Sequence, residues 1–303
     1  MREAETQNPF WEALCDPARR PFAVELDPPE LADTADYMRK AAALRDAGAD
    51  IITLADCPVA RPRMDSSLLA CKLQRELGVE ALPHLACRDR NLNAARALLL
   101  GLCAEGVQNV LIVMGDPIPR AEREAVKGVY NLNSRKMIGY VFRLGQTELP
   151  RPFRVFGALN VNARSFPIQL NLAKEKEENG AAGFLTQPIL SEEALEHLRL
   201  ARETLGGKIL GGIMPIVSQR NALFMHNEIA GISVDGKIIE RYAGLTREEA
   251  EDLAVEISVD FARRMRPWVD GYYLVTPFGR TALIARIMDR IRQDEAAGRH
   301  MLT

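Results

Sequence analysis

Short apolar segments alternate with longer amphipathic segments along the whole chain. Eight of the short segments are rich in aliphatic and β-branched residues, have the length of strands and are bounded by turn or polar residues. They span residues 22–26, 50–54, 81–85, 109–114, 153–161, 183–187, 208–217 and 272–275. Because these runs are apolar at nearly every position, they predict parallel strands that are buried on both faces.

Segments with helical spacing separate the predicted strands. They span residues 31–47, 65–77, 91–105, 135–144, 167–178, 191–205, 218–228, 246–264 and 279–292. Strands that alternate with helices indicate βαβ units with right-handed crossovers. Eight such units fit a (β/α)8 barrel better than an open doubly wound sheet, and the chain has no GxGxxG motif, P-loop or flexible linker. We therefore predict an α/β fold, a single TIM barrel over residues 1–303 with its core at about 20–292.

Composition and charge exclude several classes of function. The 303 residues include 39 Lys+Arg and 41 Asp+Glu, and this near-neutral balance argues against a nucleic-acid-binding surface. No uncharged apolar stretch approaches the roughly 20 residues that span a bilayer, and residues 1–14 lack the apolar region of a signal peptide. The five cysteines form no CxxC pair and the four histidines no HExxH motif, so we predict no metal site. A cytoplasmic protein with reduced thiols and no membrane partner is expected.

In a barrel of this kind, the chemistry lies at the carboxyl ends of the strands. The candidate residues there are Glu25, Thr53, His84, Gly115, Asp116, Asn160, Gln187 and Arg280. A carboxylate in an apolar run is costly to bury, so Glu25 is either half of a salt bridge or a general acid whose pKa is raised by desolvation. The others have structural alternatives: a core histidine for His84, a turn for Asp116 and a paired cation for Arg280.

Seven short motifs follow one another at the spacing of barrel strands. They are residues 24–29 (VELDPP), 83–87 (PHLAC), 115–117 (GDP), 157–160 (GALN), 179–188 (NGAAGFLTQP), 212–218 (GIMPIVS) and 277–280 (PFGR). Together they resemble methylenetetrahydrofolate reductases over nearly the whole chain. The sequence looks most similar to the branch whose reductase module also occurs fused to a homocysteine methyltransferase domain.

The resemblance implies a barrel that binds FAD noncovalently and reduces 5,10-methylenetetrahydrofolate to 5-methyltetrahydrofolate, a step of one-carbon metabolism and methionine biosynthesis. Flavin N5 would supply the hydride, and NADH or NADPH the electrons. Glu25 matches the family's general acid, and Asp116 an aspartate whose charge stabilises a cationic intermediate. The implied folate contacts are Gln187 and Arg280, and the implied flavin contacts are Thr53, His84, Gly115, Asp116, Asn160 and Lys176. By itself, the mixed charge run at residues 174–178 predicts a solvated helix face for Lys176.

Three departures from the family pattern fall near the flavin face that the nicotinamide uses. Met114 stands where the proteobacterial form has arginine, the segment after Glu25 lacks an aromatic pair, and residues 54–57 (LADC) replace a Tyr-Gly type of loop. The electron donor is therefore left open between NADH, NADPH and a partner protein, and so is a homo-oligomeric state. Two alternative functions also remain: a pterin-binding barrel that passes a methyl group to a corrinoid protein, and a non-catalytic folate-binding subunit.

Overall fold

Eight parallel strands close into a barrel in the computed structural model, which describes residues 8–229 and 231–300. The strands are β1 (Phe22–Glu25), β2 (Ile51–Leu54), β3 (Glu80–Ala86), β4 (Asn109–Val113), β5 (Arg154–Leu159), β6 (Gly183–Pro188), β7 (Lys208–Ile213) and β8 (Gly271–Val275). Each strand pairs with the next, and β8 pairs with β1. The predicted (β/α)8 barrel is confirmed. The signal-peptide prediction falls partly on residues 1–7, which lie outside the described residues.

Helices surround the barrel, and most of them match the predicted segments. They are α1 (Pro9–Cys15), α2 (Ala35–Asp46), α3 (Ser66–Leu77), α4 (Leu92–Ala104), α5 (Ser134–Thr147), α6 (Phe166–Glu178), α7 (Glu192–Thr204), α8 (Gln219–Glu228), α9 (Gly236–Arg241), α10 (Arg247–Met265) and α11 (Thr281–His300). The sequence does not predict α1 and α9, because 7 and 6 residues are too few to show a helical period. Helix α2 begins later than predicted, with Thr34 as its N-cap residue. Strand β7 ends before Val217, since Pro215 has no N–H for the ladder.

Side chains alternate between the two faces of each strand and so build two apolar layers. One face packs against the helices and forms most of the core. The other face fills the barrel, and we call these residues the inner core: Ala23, Ile51, Leu82, Leu111, Phe156, Leu185 and Leu210. The barrel is therefore packed through its middle, and polar groups can reach solvent only near its ends.

Helix α1 closes the amino-terminal end of the barrel. Phe10 and Leu14 are almost completely buried and pack against the inner core. The side chain of Asn8 accepts a hydrogen bond from the backbone of Trp11 and donates another to Asn109 at the start of β4, at 3.0 Å. These contacts seal this end, which leaves the carboxyl end of the strands as the place for a ligand.

Two further expectations concern the thiols and the membrane. Cys15, Cys57, Cys71, Cys87 and Cys103 are all free in the structure. Among the helices of residues 8–229 and 231–300, none is both long enough and apolar enough to cross a bilayer.

Candidate functional site

Four polar side chains form a ring at the carboxyl end of the barrel. This inner ring consists of Glu25, Thr53, His84 and Gln187. Glu25, Thr53 and His84 each lie two positions beyond a member of the inner core, as Glu25 lies beyond Ala23, and therefore point into the barrel as well. Gln187 follows Leu185 across a shift in the register of β6. Glu25 and Thr53 are direct partners in the register of β1 and β2. The ring gathers residues from four strands that are far apart in the sequence.

Glu25 ends β1 with 14% of its side chain exposed. The hydroxyl of Tyr273 on the neighbouring β8 donates a hydrogen bond to its Oε2. Burial, with smaller effects from the charges of Asp27 and Asp116, raises the pKa of Glu25 to about 8, although the bond from Tyr273 acts in the opposite direction. The carboxyl is therefore mostly protonated at neutral pH and can donate a proton.

His84 lies beside this carboxyl as a neutral ring. Its Nε2 is 3.7 Å from Oε2 of Glu25, which is beyond hydrogen-bond distance. Burial lowers the pKa of His84 to about 3, so the two side chains do not form an ion pair at neutral pH. Nε2 is buried and has no hydrogen-bond partner among the described residues. Because such an atom is costly to leave unpaired, its position indicates where a polar group of a ligand would bind.

The loop after β4 brings a second carboxylate to the mouth of the barrel. Gly115 has a φ of +84°, and a Cβ there would lie 2.9 Å from Cβ of Arg88, so only glycine fits. The turn exposes Asp116, whose Oδ2 accepts a hydrogen bond of 2.6 Å from the backbone N–H of Val59 in the loop after β2. The charge of Asp116 acts on Glu25, which places both carboxyl groups at the same mouth.

Two arginines after β3 clamp the neighbouring loops. The buried Arg88 donates to both carboxylate oxygens of Asp89 and to backbone carbonyls of the loops after β2 and β4. Arg90 forms an ion pair with the buried Asp56. Donor atoms of Asp56, Cys57 and Asp89 lie within 4.8 Å of one another, as in a metal site. Since both carboxylates are already paired with arginines, the cluster holds the loops in shape.

Gln187 and Asn160 lie on the opposite side of the mouth. The pairing of β6 with β7 shifts register between Leu185 and Pro188, and such irregularities often redirect side chains beside active sites. A Cβ on Gly212 of β7 would lie 2.6 Å from the carbonyl oxygen of Gln187, so this glycine allows the close approach of the two strands. Asn160 follows β5 at the rim, where its Oδ1 accepts a hydrogen bond of 3.0 Å from the backbone of Asn162.

Lys176 lies on the outer face of the barrel. Its side chain packs against β5, where a Cβ on Gly157 would approach it to 3.1 Å. The ammonium donates a 2.5 Å hydrogen bond to the carbonyl of Ala158. Burial, helped by the charge of Arg135, lowers the pKa of Lys176 to about 8. Lys176 thus occupies the layer between sheet and helix, so the solvated face predicted from the charge run is wrong at this residue.

A groove of about 640 Å³ adjoins the mouth between α8, the start of α10 and the loop after β8. Arg280 lines it and donates to Glu251 of α10 at 2.9 Å. Its other main lining residues are two arginines and three exposed apolar side chains: Arg220, Arg247, Phe224, Leu245 and Phe278. This combination suits a ligand that has both an aromatic ring and carboxylates.

The family model for methylenetetrahydrofolate reductase matches residues 12–291. The chain belongs to the methylenetetrahydrofolate reductase family. The matched region contains all eight strands and the whole inner ring. No curated protein matches the sequence.

Solved structures similar to this family member share its fold at low sequence identity. A Clostridium thermocellum protein that binds two copies of 5-methyl-5,6,7,8-tetrahydrofolic acid has a TM-score of 0.66 and 12% identity, over 95% of this chain and 99% of that one. A riboflavin lyase with modified FMN and riboflavin has a TM-score of 0.55 and 14% identity, over 90% of both chains. Tryptophan synthase from M. tuberculosis has a TM-score of 0.54 and 13% identity, over 94% of this chain and 98% of that one. At these identities the likenesses show the barrel fold alone.

The structure gathers most of the residues that the family resemblance implies. Around the mouth lie Glu25, Thr53, His84, Gly115, Asp116, Asn160 and Gln187. Arg280 lies in the adjoining groove, whereas Lys176 lies behind β5. Sequence reasoning missed Tyr273 and Arg88. The first could have been found from barrel closure, since β8 pairs with β1 and sets Tyr273 opposite Ala23 on the inner face.

Proposed function

We propose that this chain reduces 5,10-methylenetetrahydrofolate to 5-methyltetrahydrofolate with FAD as its cofactor. The observation that carries the proposal is the protonated Glu25 at the mouth of a barrel from this family, beside Nε2 of His84, which has no hydrogen-bond partner among the described residues. A carboxyl group with a pKa of about 8 is a general acid at neutral pH. That is the chemistry needed to open the five-membered ring of the folate.

Glu25 delivers a proton to the folate nitrogen that leaves the methylene carbon. As that carbon–nitrogen bond breaks, the carbon becomes an iminium electrophile, and addition of a hydride converts it to the methyl group. The negative charge of Asp116 favours the cationic iminium state, because its carboxylate faces the same mouth. Gln187, at the irregular end of β6, hydrogen-bonds the polar edge of the pterin.

The residues around the mouth fit the ring end of a flavin. His84 has a buried nitrogen in need of a partner, and Thr53 is a buried hydroxyl residue on the adjacent strand. Gly115 and Asn160 border the same opening. Bound FAD would supply the hydride, replenished by NADH, NADPH or a partner protein. The diphosphate fits less well, because Lys176 would have to leave the carbonyl of Ala158 to reach it.

The groove beside the mouth is the proposed site for the folate tail. The tail consists of an aromatic ring followed by a glutamate, and the groove offers apolar side chains together with arginines. Arg280 stands at the loop after β8, next to the strand that carries Tyr273. A carboxylate of the tail would share the guanidinium with Glu251.

A second candidate function is folate binding without flavin. Two observations favour it: the engaged ammonium of Lys176, and Met114 at the position where the proteobacterial reductases have arginine. The Clostridium thermocellum protein of the same fold, which binds two copies of a methylated folate, is in line with this alternative.

Absorbance and anaerobic rapid mixing distinguish the two functions. The purified protein, or protein incubated with FAD and then desalted, should retain a flavin spectrum. Methylenetetrahydrofolate should reoxidise the photoreduced protein, and NADH and NADPH tested separately should identify the electron donor. Protein that binds folate in calorimetry but never retains FAD would refute the reductase proposal in favour of a folate-binding protein.

A further inference from the structure

We propose that Tyr273 is the positioning residue of the proposed acid, because its hydroxyl holds one oxygen of Glu25 and leaves the other oxygen to carry the proton toward the folate. This inference rests on the proposed function, since it concerns the same carboxyl. It adds a residue for which neither the motifs nor the family resemblance gives a role.

The geometry of barrel closure sets up the contact. In the pairing of β1 with β8, Tyr273 lies opposite Ala23, one layer below Glu25. Its ring packs in the inner core and its hydroxyl reaches up to Oε2 of Glu25. Tyr273 is 8% exposed, and burial raises its pKa well above the usual value. The phenol therefore stays protonated and acts as the donor in this hydrogen bond.

The direction of this hydrogen bond decides which oxygen carries the acidic proton. Oε2 of Glu25 accepts from Tyr273, so the proton of the neutral carboxyl belongs on Oε1. Within residues 8–229 and 231–300, Oε1 accepts no hydrogen bond, and the side chain keeps 14% of its surface open to the mouth. A general acid must hold its proton within reach of the accepting atom, and this arrangement aims it at the opening.

Five titratable groups face Glu25 from the surrounding elements. They are Asp27 after β1, Tyr37 on α2, His84 on β3, Asp116 after β4 and Tyr273 on β8. The ring of His84 is neutral, and burial keeps Tyr37 protonated by raising its pKa. Among these described groups, Tyr273 alone donates a hydrogen bond to the carboxyl. Loss of its hydroxyl therefore acts on Glu25 directly.

The test compares Tyr273→Phe with wild type in the FAD-loaded protein across pH. We expect kcat for folate reduction at pH 7 to fall about tenfold, because the carboxyl is no longer held in orientation, while KM changes less than about twofold. The lost hydrogen bond favoured the ionised carboxyl. The alkaline fall of kcat should therefore move to higher pH by about half a unit to one unit. A purely structural role would leave that pH profile in place.

Tyr272→Phe is the matched control. Tyr272 is the adjacent buried tyrosine and also bonds a carboxylate, Glu295, but on the face toward the helices. Its loss should leave both the pH profile and kcat close to those of wild type. Equal shifts in the two variants would show a general effect of losing a buried hydroxyl and would overturn the proposal.

A readout that needs no turnover separates this inference from the proposed function. Carbon-13 NMR of glutamate-labelled protein, with Glu25→Gln to assign the signal, reports the titration midpoint of Glu25. An upward shift of this midpoint in Tyr273→Phe supports the inference that the hydrogen bond from Tyr273 positions Glu25, even if wild type proves unable to reduce folate. An unchanged midpoint overturns the inference, whatever the activity of the wild type.

Discussion

The two ends of the barrel are built from the same strands but treat polar groups in opposite ways. At the amino end, the side chains of Asn8 and Asn109 are hydrogen-bonded at 3.0 Å, and Phe10 packs against the inner core. At the carboxyl end, a carboxyl with a pKa of about 8 lies 3.7 Å from a buried nitrogen that has no partner in the described chain. The asparagine pair at the amino end is satisfied internally, whereas the histidine nitrogen at the carboxyl end, which has no partner among the described residues, is left for a ligand.

This difference separates residues that stabilise the fold from residues that perform chemistry. A buried polar atom without a partner lowers the stability of the folded state, so such an atom is retained where binding restores the missing bond. Nε2 of His84 fits that description among the described residues, whereas Asn109, which is paired with Asn8, does not. Substitutions at the carboxyl end should therefore lower turnover without loss of stability, and substitutions at the amino end should lower stability without loss of turnover.

The largest effect is expected for Glu25→Gln. Turnover should fall by about 10² to 10⁴, because the amide cannot supply the proton, while FAD and folate still bind. Glu80→Gln is the control, since Glu80 begins β3 at the other end of the barrel and burial raises its pKa too. Steady-state kinetics and folate titration measure both effects. Near-normal turnover in Glu25→Gln would remove Glu25 from the role of acid.

The same variant should be more stable than wild type at alkaline pH. The pKa of Glu25 is about 8 in the folded chain and about 4.5 ordinarily. As pH rises from 4.5 to 8, the unfolded chain releases this proton before the folded chain does, so wild type loses stability, and the loss is complete above pH 8. Because glutamine does not ionise, the Glu25→Gln variant avoids this loss of unfolding free energy, which amounts to a few kcal/mol at about 1.4 kcal/mol per pKa unit. Urea unfolding at pH 5 and pH 9 measures it.

Phe10→Ala tests the amino end. Removal of this buried ring should lower the free energy of unfolding by about 3 to 5 kcal/mol, through lost burial and the cavity left behind. The folded fraction should keep its folate affinity and kcat, because the inner core separates Phe10 from the mouth. Phe142→Ala, at a side chain that is 44% exposed, should cost less. A loss of folate affinity in folded Phe10→Ala would show that the two ends are coupled.

The sequence predicts much of this arrangement, because apolar strands at regular spacing leave few alternatives to a barrel, and closure brings all strand ends together. Glu25 stands out as a carboxyl in an apolar run. Its contact with Tyr273 depends on the pairing of the first strand with the last, residues separated by 248 positions. The position of Lys176 could not be predicted from the sequence, because a charge run does not reveal that one of its lysines packs against β5.

The smallest effect is expected for Arg280→Ala. KM for the folate should rise about threefold to tenfold with kcat unchanged, since in the proposed function the guanidinium would contact the tail, and it is already shared with Glu251. Arg286→Ala is the matched control. Arg286 lies on α11, which begins just after Arg280, and pairs with Asp252 of α10 outside the groove. That control should leave KM unchanged. Equal KM values in the two variants would show that the tail does not bind in the groove and would place it elsewhere at the carboxyl end.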